Sequence, residues 1–278
     1  IWTTTPWTIP ANKALAFNSS IEYSVVEIND LKNFKEKKIV VATNLLDTII
    51  KSCGIEEFKI LKSFKGADFT GTICTHPFQA IGYSFDVPML DARFVTLEQG
   101  TGIVHCAPSH GPDDFNLCLK HNIPSKYTVD NSGYYTDEIP FFTKTHVFKA
   151  DPIIIDKLKE LNKLLKNDKL QHSYPHSWRS KAPLIYRATP QWFISMEKNS
   201  LRKKAIKAIG DTTFYPSKGK ERLMSMIKDR PDWCVSRQRS WGVPLPIFIN
   251  KKTNKPLQDQ KVIDRIAEIY EKEGSDCW

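Results

Sequence analysis

No run of apolar residues in this 278-residue chain approaches the roughly 18–20 positions that a membrane-spanning helix needs, and no signal-peptide pattern opens it. No membrane partner is therefore expected. The six cysteines, Cys53, Cys74, Cys106, Cys118, Cys234 and Cys277, form no CxxC pair. That absence argues against a zinc or disulfide framework and for reduced thiols in a cytoplasmic setting. Internal repeats and low-complexity tracts are also missing. The first residue is Ile1 rather than methionine and the last is Trp278, so the expectation is an excerpt from a longer chain.

Hydrophobic residues make up 41% of the chain and charged residues 26%, enough apolar material for a real core and, at this length, for two units. Charge is divided unevenly. Residues 1–178 hold 19 Lys+Arg against 20 Asp+Glu, and residues 179–278 hold 21 against 11. A basic second part suits a polyanionic partner, and equally a solvated basic surface. Charge, composition and periodicity all change near residue 178, which sets the expected domain boundary.

Residues 1–105 read as strand-rich. Residues 1–5, 23–28, 39–42 and 94–97 carry β-branched or aromatic runs, and 47–52 reads as a short helix. Ile103-Val104-His105 is a strand that must end by Pro108. The run Gly111-Pro112-Asp113-Asp114 opens a helix, with proline in the first turn and acids facing the positive end of the helix dipole. Asp151-Pro152 starts another, with Ile154, Leu158, Leu161 and Leu165 along one face. Residues 174–193 read as an extended connection. Helices are expected over 200–209, 221–228 and 263–271, with a short strand at 232–236.

Four segments could carry chemistry. TTTPWTIPAN (residues 3–12) lines up hydroxyls able to bond an ester, a ribose or a water, although a threonine-rich edge strand is the simpler explanation, since threonine is a good strand former. GTGIVHCAPSHGPDD (100–114) places two imidazoles and two carboxylates on a strand-to-helix loop. Three readings stand there: a metal site of His105, His110 and an aspartate; a carboxylate anchoring an amine beside a hydrolytic pocket; or a capped helix start with exposed polar residues. In Ser177-Trp178-Arg179-Ser180 through RATPQWF (187–193), and in RPDWCVSRQRSWGVP (230–244), arginines alternate with tryptophans. That pattern suits phosphate neutralisation and base stacking, or Arg packed on Trp at a domain junction.

Taken together, these segments resemble the isoleucyl-tRNA synthetases of class I. TTTPWTIPAN is similar to the threonine-rich peptide of their editing domain, and GTGIVHCAPSHGPDD to its second signature. RATPQWF and RPDWCVSRQRSWGVP look like the segments that lead back to the catalytic domain. The order and spacing fit across the whole chain. Relatives specific for valine and leucine usually have Arg-Pro where this chain has Thr5-Pro6.

The resemblance implies a mixed α and β fold. Residues 1–178 would form a β-barrel-like editing domain with flanking helices, and 179–278 an incomplete α/β, Rossmann-type catalytic segment. It implies hydrolysis of valine misattached to the acceptor end of tRNA(Ile), and of valyl-adenylate, by direct water attack. Thr8, His105 and Asp114 would be catalytic, with Asp114 holding the α-ammonium and His105 walling the pocket. Thr3, Thr4, Thr5, Trp7 and Asn12 would bind substrate. No cofactor or metal is implied for editing. ATP and Mg belong to the whole enzyme, at a site outside this chain, since no HIGH-like or KMSKS-like motif occurs in it. The remaining partner is the rest of the synthetase chain, in a monomer. A metal-dependent hydrolase using His105, His110 and Asp114, and a non-catalytic tRNA-binding module, are the alternatives.

Overall fold

The computed structural model describes residues 1–28, 34–238, 242–253 and 255–278. They form two compact units, Ile1–Thr189 and Pro190–Trp278. No helix among them is long and apolar enough to cross a membrane.

The first unit is built on two open sheets. One contains β1 (Ala14–Phe17), β5 (Ile73–Thr75), β6 (Asp86–Asp91) and β7 (Val104–Cys106), in the order β5-β6-β1-β7. Strand β1 runs parallel to β6 and antiparallel to β7, which sets Leu15 opposite both Met89 and His105. The other sheet is antiparallel, β3-β2-β4, from β2 (Glu22–Ile28), β3 (Lys38–Ala42) and β4 (Phe58–Lys65). A register shift between Val25 and Val26 lets β2 bury Tyr23, Val26 and Ile28 together against α1 (Leu46–Cys53). The fold is thus mixed α and β, and its sheets do not close into a barrel among the described residues.

Two further helices complete this unit. Helix α2 (Pro112–Lys120) buries Leu117 and Cys118 against β1, β6 and β7. Helix α3 (Ala150–Glu160) buries Ile154 and Leu158 in an aromatic cluster with Trp7, Phe78, Tyr83 and Tyr135. Leu161 and Leu165 lie beyond its last turn and still pack inward.

Several expectations are corrected. Residues 1–5 are not a strand, because Pro6 lacks a ladder N–H and the threonine hydroxyls bond locally instead. Residues 94–97 are not a strand but leave a turn over 92–95, where Val95 N–H bonds Ala92 O and Asn18 Nδ2 donates to the Val95 carbonyl. The first compact unit runs on past the charge step at 178, through residues 179–189, where Tyr186 and Ala188 bond back to His110 and Ser109.

The second unit holds an antiparallel helix pair, α4 (Leu201–Asp211) and α5 (Lys218–Lys228), a two-stranded ribbon of β8 (Phe193–Ile194) and β9 (Trp233–Cys234), and α6 (Gln260–Glu273). Arg202 reaches from α4 to cap α5, donating to the carbonyls of Ile227, Lys228 and Arg230 at 2.7–2.9 Å. Arg237 likewise bonds the carbonyls of Cys234 and Ser236. Arg239 and Trp241, the end of the last Arg–Trp motif, lie outside the described residues.

The join between the sheets turns on Gly102, at φ +75°, where a Cβ would sit 2.4 Å from the Ala42 Cβ. Its carbonyl accepts from Tyr23 OH, and Thr101 O accepts from Ala42 N. Gly102→Ala is expected to lose about 2–4 kcal/mol, combining left-handed strain with overpacking. Gly54 at the end of α1 has φ +67° but open space around it, so Gly54→Ala should lose only about 1–2 kcal/mol. Urea midpoints of the two variants check the difference, and equal losses would contradict the steric account.

Candidate functional site

The threonine-rich segment folds as a 3-10 helix, Pro6–Ala11, with Pro6 at its first position. Trp7, Thr8, Ile9, Pro10 and Ala11 are buried. The hydroxyls form a chain: Thr3 Oγ1 lies 3.2 Å from Thr5 Oγ1, and Thr5 Oγ1 lies 3.5 Å from Thr8 Oγ1. Thr8 Oγ1 in turn lies 3.1 Å from His105 Nε2. Thr4 stands outside this chain, exposed to solvent.

Distant side chains hold the helix backbone in place. Trp7 N–H donates to Asp151 Oδ1 at 2.8 Å, and Tyr135 OH donates to Trp7 O. His76 Nε2 donates to Ile9 O at 3.0 Å while its Nδ1 accepts from Phe78 N. Asn12 Oδ1 accepts from Cys106 N at 3.1 Å, which ties the end of the helix to the strand carrying His105. Asn12 therefore acts through the backbone here. The Trp7 ring is part of the aromatic core, edge-on to His110 with centroids 4.7 Å apart.

His105 is buried on β7, and burial pushes its imidazole down to about pKa 4. Thr8 has one hydroxyl proton, and it goes to Thr5 O at 2.9 Å. His105 must then donate through Nε2–H, which leaves Nδ1 as a buried lone pair with no protein partner among the described residues.

Asp114 is the third residue of α2 and reaches back to accept Ala107 N–H at 2.9 Å, two residues beyond His105. Burial raises its carboxyl to about pKa 6, against the lowering pull of the Ala107 hydrogen bond. Asp113, one position earlier, is exposed. Neighbouring helix positions differ by about 100° in direction, so only Asp114 turns toward the His105 strand.

His110 does not join a metal site. Its Nδ1 donates to Tyr186 O and its Nε2 accepts from Thr128 Oγ1, both at 2.9 Å, so both ring nitrogens are engaged. Among the described residues no group of three His, Cys, Asp or Glu side chains could hold a metal ion. Arg187 is also structural, bonding Val129 O and Asn131 Oδ1. Sequence reasoning missed His76, Tyr135 and Asp151 as supports of the site. Only Asp151 left a signal, as the start of a helix.

A family model described as class I tRNA synthetases (I, L, M and V) matches residues 4–278. The chain is 66% identical over 278 residues to the isoleucine–tRNA ligase of Pelagibacter ubique, covering all of this chain and 31% of that protein. It is 47% identical over 279 residues to the isoleucine–tRNA ligase of Francisella tularensis subsp. tularensis, of which it covers 29%. The chain thus spans under a third of the length of these curated relatives. Among solved structures, GlLeuRS-CP1 aligns with 61% of this chain and 83% of its own, at TM-score 0.48 and 15% identity. The P. falciparum cytosolic leucyl-tRNA synthetase editing domain aligns with 84% and 78%, at TM-score 0.36 and 14% identity. At these scores the structural likeness carries no argument.

Three buried imidazoles make the site sensitive to acid. His76, His105 and His110 are all lowered from 6.5 to about 4 by burial. Between those values the unfolded chain binds up to three more protons than the folded one, so stability is full above pH 6.5 and falls on acidification. Asp114, raised from 3.8 to about 6, opposes this by one proton. The net of roughly two protons should remove about 3 kcal/mol per pH unit between pH 6 and 4. Urea midpoints at pH 7 and 5 measure it, and equal midpoints would contradict the burial of neutral imidazoles.

Proposed function

The chain belongs to the class I tRNA synthetases of the I, L, M and V group, and we propose that its first unit hydrolyses valine misattached to tRNA(Ile). One observation carries this reading: the hydrogen bond that His105 Nε2–H donates to Thr8 Oγ1 joins the threonine segment to the strand whose extension, at Ala107, anchors Asp114. A line of hydroxyls, a neutral imidazole and a carboxylate on one site suit an aminoacyl ester with a free α-ammonium.

In this mechanism Asp114, ionised above about pH 6, pairs with the α-ammonium. Thr3, Thr4, Thr5 and Thr8 contact the ester, the terminal adenosine and the attacking water. The water oxygen bonds to the ester carbonyl carbon, the bond to the ribose oxygen breaks, and the water's proton passes to that oxygen. The neighbouring ribose hydroxyl assists. His105 limits pocket size so that valine enters and isoleucine is refused. Editing is needed because one methylene is worth only about 1–3 kcal/mol to a synthetic pocket, for which selection of isoleucine over valine is the established example.

The wider reading makes residues 1–178 a β-barrel-like editing domain and the remainder part of a Rossmann-type catalytic body. The whole enzyme would charge tRNA(Ile) with isoleucine in the cytoplasm as a monomer, using ATP and Mg at a site outside this chain. No step of the editing reaction needs either.

Valyl-tRNA(Ile) is expected to be deacylated at least about tenfold faster than isoleucyl-tRNA(Ile), without ATP or added metal. Asp114→Ala should slow the reaction by about 10–100-fold, the worth of a charge-assisted hydrogen bond, and Asp113→Ala by less than about twofold. Deacylation rates of the three proteins on both substrates test this. Equal rates on the two esters, or greater damage from Asp113→Ala, would overturn the assignment, and no hydrolysis at all would leave a tRNA-binding module.

A further inference from the structure

The GTGIVHCAPSHGPDD segment holds two imidazoles, and the deacylation chemistry uses only His105. His110 is buried to the same degree, and its ring nitrogens are engaged in opposite senses. Nδ1 donates to Tyr186 O and Nε2 accepts from Thr128 Oγ1, each at 2.9 Å. Only a neutral imidazole with its proton on Nδ1 can do both.

The backbone turn that carries this ring leads to Asp114. His110 N–H donates to Ala107 O at 2.8 Å and closes a turn over residues 107–110. The N–H of Ala107, at the head of that turn, is the donor that Asp114 Oδ2 accepts at 2.9 Å. The other end of the turn is gripped by residues far along the chain. Ala188 N–H donates to Ser109 O at 2.8 Å, beside the His110–Tyr186 bond, and Ser109 Oγ donates to Lys126 O at 2.6 Å. Arg187, between the two bonded residues, is itself held by Val129 O and Asn131 Oδ1.

We propose that His110 is a positioning residue for the ester hydrolysis. Its bond to Tyr186 O fixes the 107–110 turn, so that the Ala107 amide keeps the Asp114 carboxylate aimed at the substrate's α-ammonium. The inference rests on the deacylation reading for the group that Asp114 meets, and on the hydrogen bonds alone for the path from His110 to Asp114. A packing role is the rival, since the His110 ring also stands edge-on to Trp7 with centroids 4.7 Å apart. Substitution separates the two. Asparagine puts an amide N–H where Nδ1 stands but offers Trp7 no ring, whereas glutamine reaches toward Thr128 instead.

The test is steady-state deacylation of valyl-tRNA(Ile) by the parent, His110→Ala, His110→Asn and His110→Gln. A carboxylate that holds the α-ammonium equally before and in the transition state affects KM when misplaced and leaves kcat alone. His110→Ala and His110→Gln should raise KM about 5–20-fold with kcat within about twofold, and His110→Asn should restore KM. On N-acetylvalyl-tRNA(Ile), which has no ammonium, all four proteins should react at one rate. NMR titration of the Asp114 carboxyl reads the same path without hydrolysis. The Ala107 bond lowers that carboxyl, so His110→Ala should titrate about one pH unit above the parent and His110→Asn with it. Asp113 and Cys118 on the same helix, and Cys106 on β7, face this carboxyl and are unchanged in all four proteins. If the alanine variant does not fold, the contrast between asparagine and glutamine decides alone. An unmoved Asp114 midpoint, a fall in kcat at constant KM, or an asparagine variant no better than glutamine would overturn the proposal and leave His110 a packing residue. The expected midpoints in a parent that hydrolyses nothing would overturn the deacylation reading and leave the path to Asp114 standing.

Discussion

A buried 3-10 turn has polar backbone atoms inside an apolar core, and they must find partners there. The Pro6–Ala11 helix finds them in Asp151, Tyr135 and His76, contributed from 144, 128 and 67 residues away. Much of the first unit's architecture follows from this demand. Helix α3 brings Asp151 to the Trp7 amide, the loop before β6 brings His76, and the aromatic cluster excludes water around all three. The same constraint aims the hydroxyls. Once the backbone is held, Thr8 can face only Thr5 and His105.

Burial then sets the electrostatics. In water an imidazole is half protonated near neutrality, but the three buried here stay neutral down to about pH 4. A neutral His105 adds no positive charge of its own to repel an ammonium-bearing substrate. Asp114 is moved the other way, and its anionic form is the one that gains most from a cationic ligand. The opposite shifts come from one cause, removal of water, and together they favour a positively charged guest.

Much of this was legible in the sequence, and the limits have physical reasons. The helix over 150–160 followed from Ile154 and Leu158 on one face, and α2 from Pro112 and the acids behind it. β7 followed from a β-branched run stopped by Pro108. Local chemistry decided each of these. The threonine segment misled because threonine favours strands, while Pro6 and the local hydroxyl bonds favour a turn. β4, with Lys59, Lys62 and Lys65 along its exposed length, lacked an alternating pattern because it is an edge strand with little buried on either face. Tyr135 and His76 were invisible as site residues, since what they bond is backbone, which carries no residue-type signal. His110 drew attention as a metal ligand and proved to be a satisfied core histidine.

The central claim is that the threonine hydroxyls work only because the backbone beneath them is held. The most direct measurement compares Asp151→Ala with Asp151→Asn in deacylation of valyl-tRNA(Ile). Asparagine keeps an oxygen that can accept from Trp7 N–H, whereas alanine removes it and leaves a buried donor unpaired, a cost of about 1–3 kcal/mol. The account predicts a roughly 5–100-fold lower kcat in Asp151→Ala and near-normal kcat in Asp151→Asn, with KM little changed in the latter. An asparagine variant as slow as the alanine variant, or an alanine variant at full rate, would contradict it.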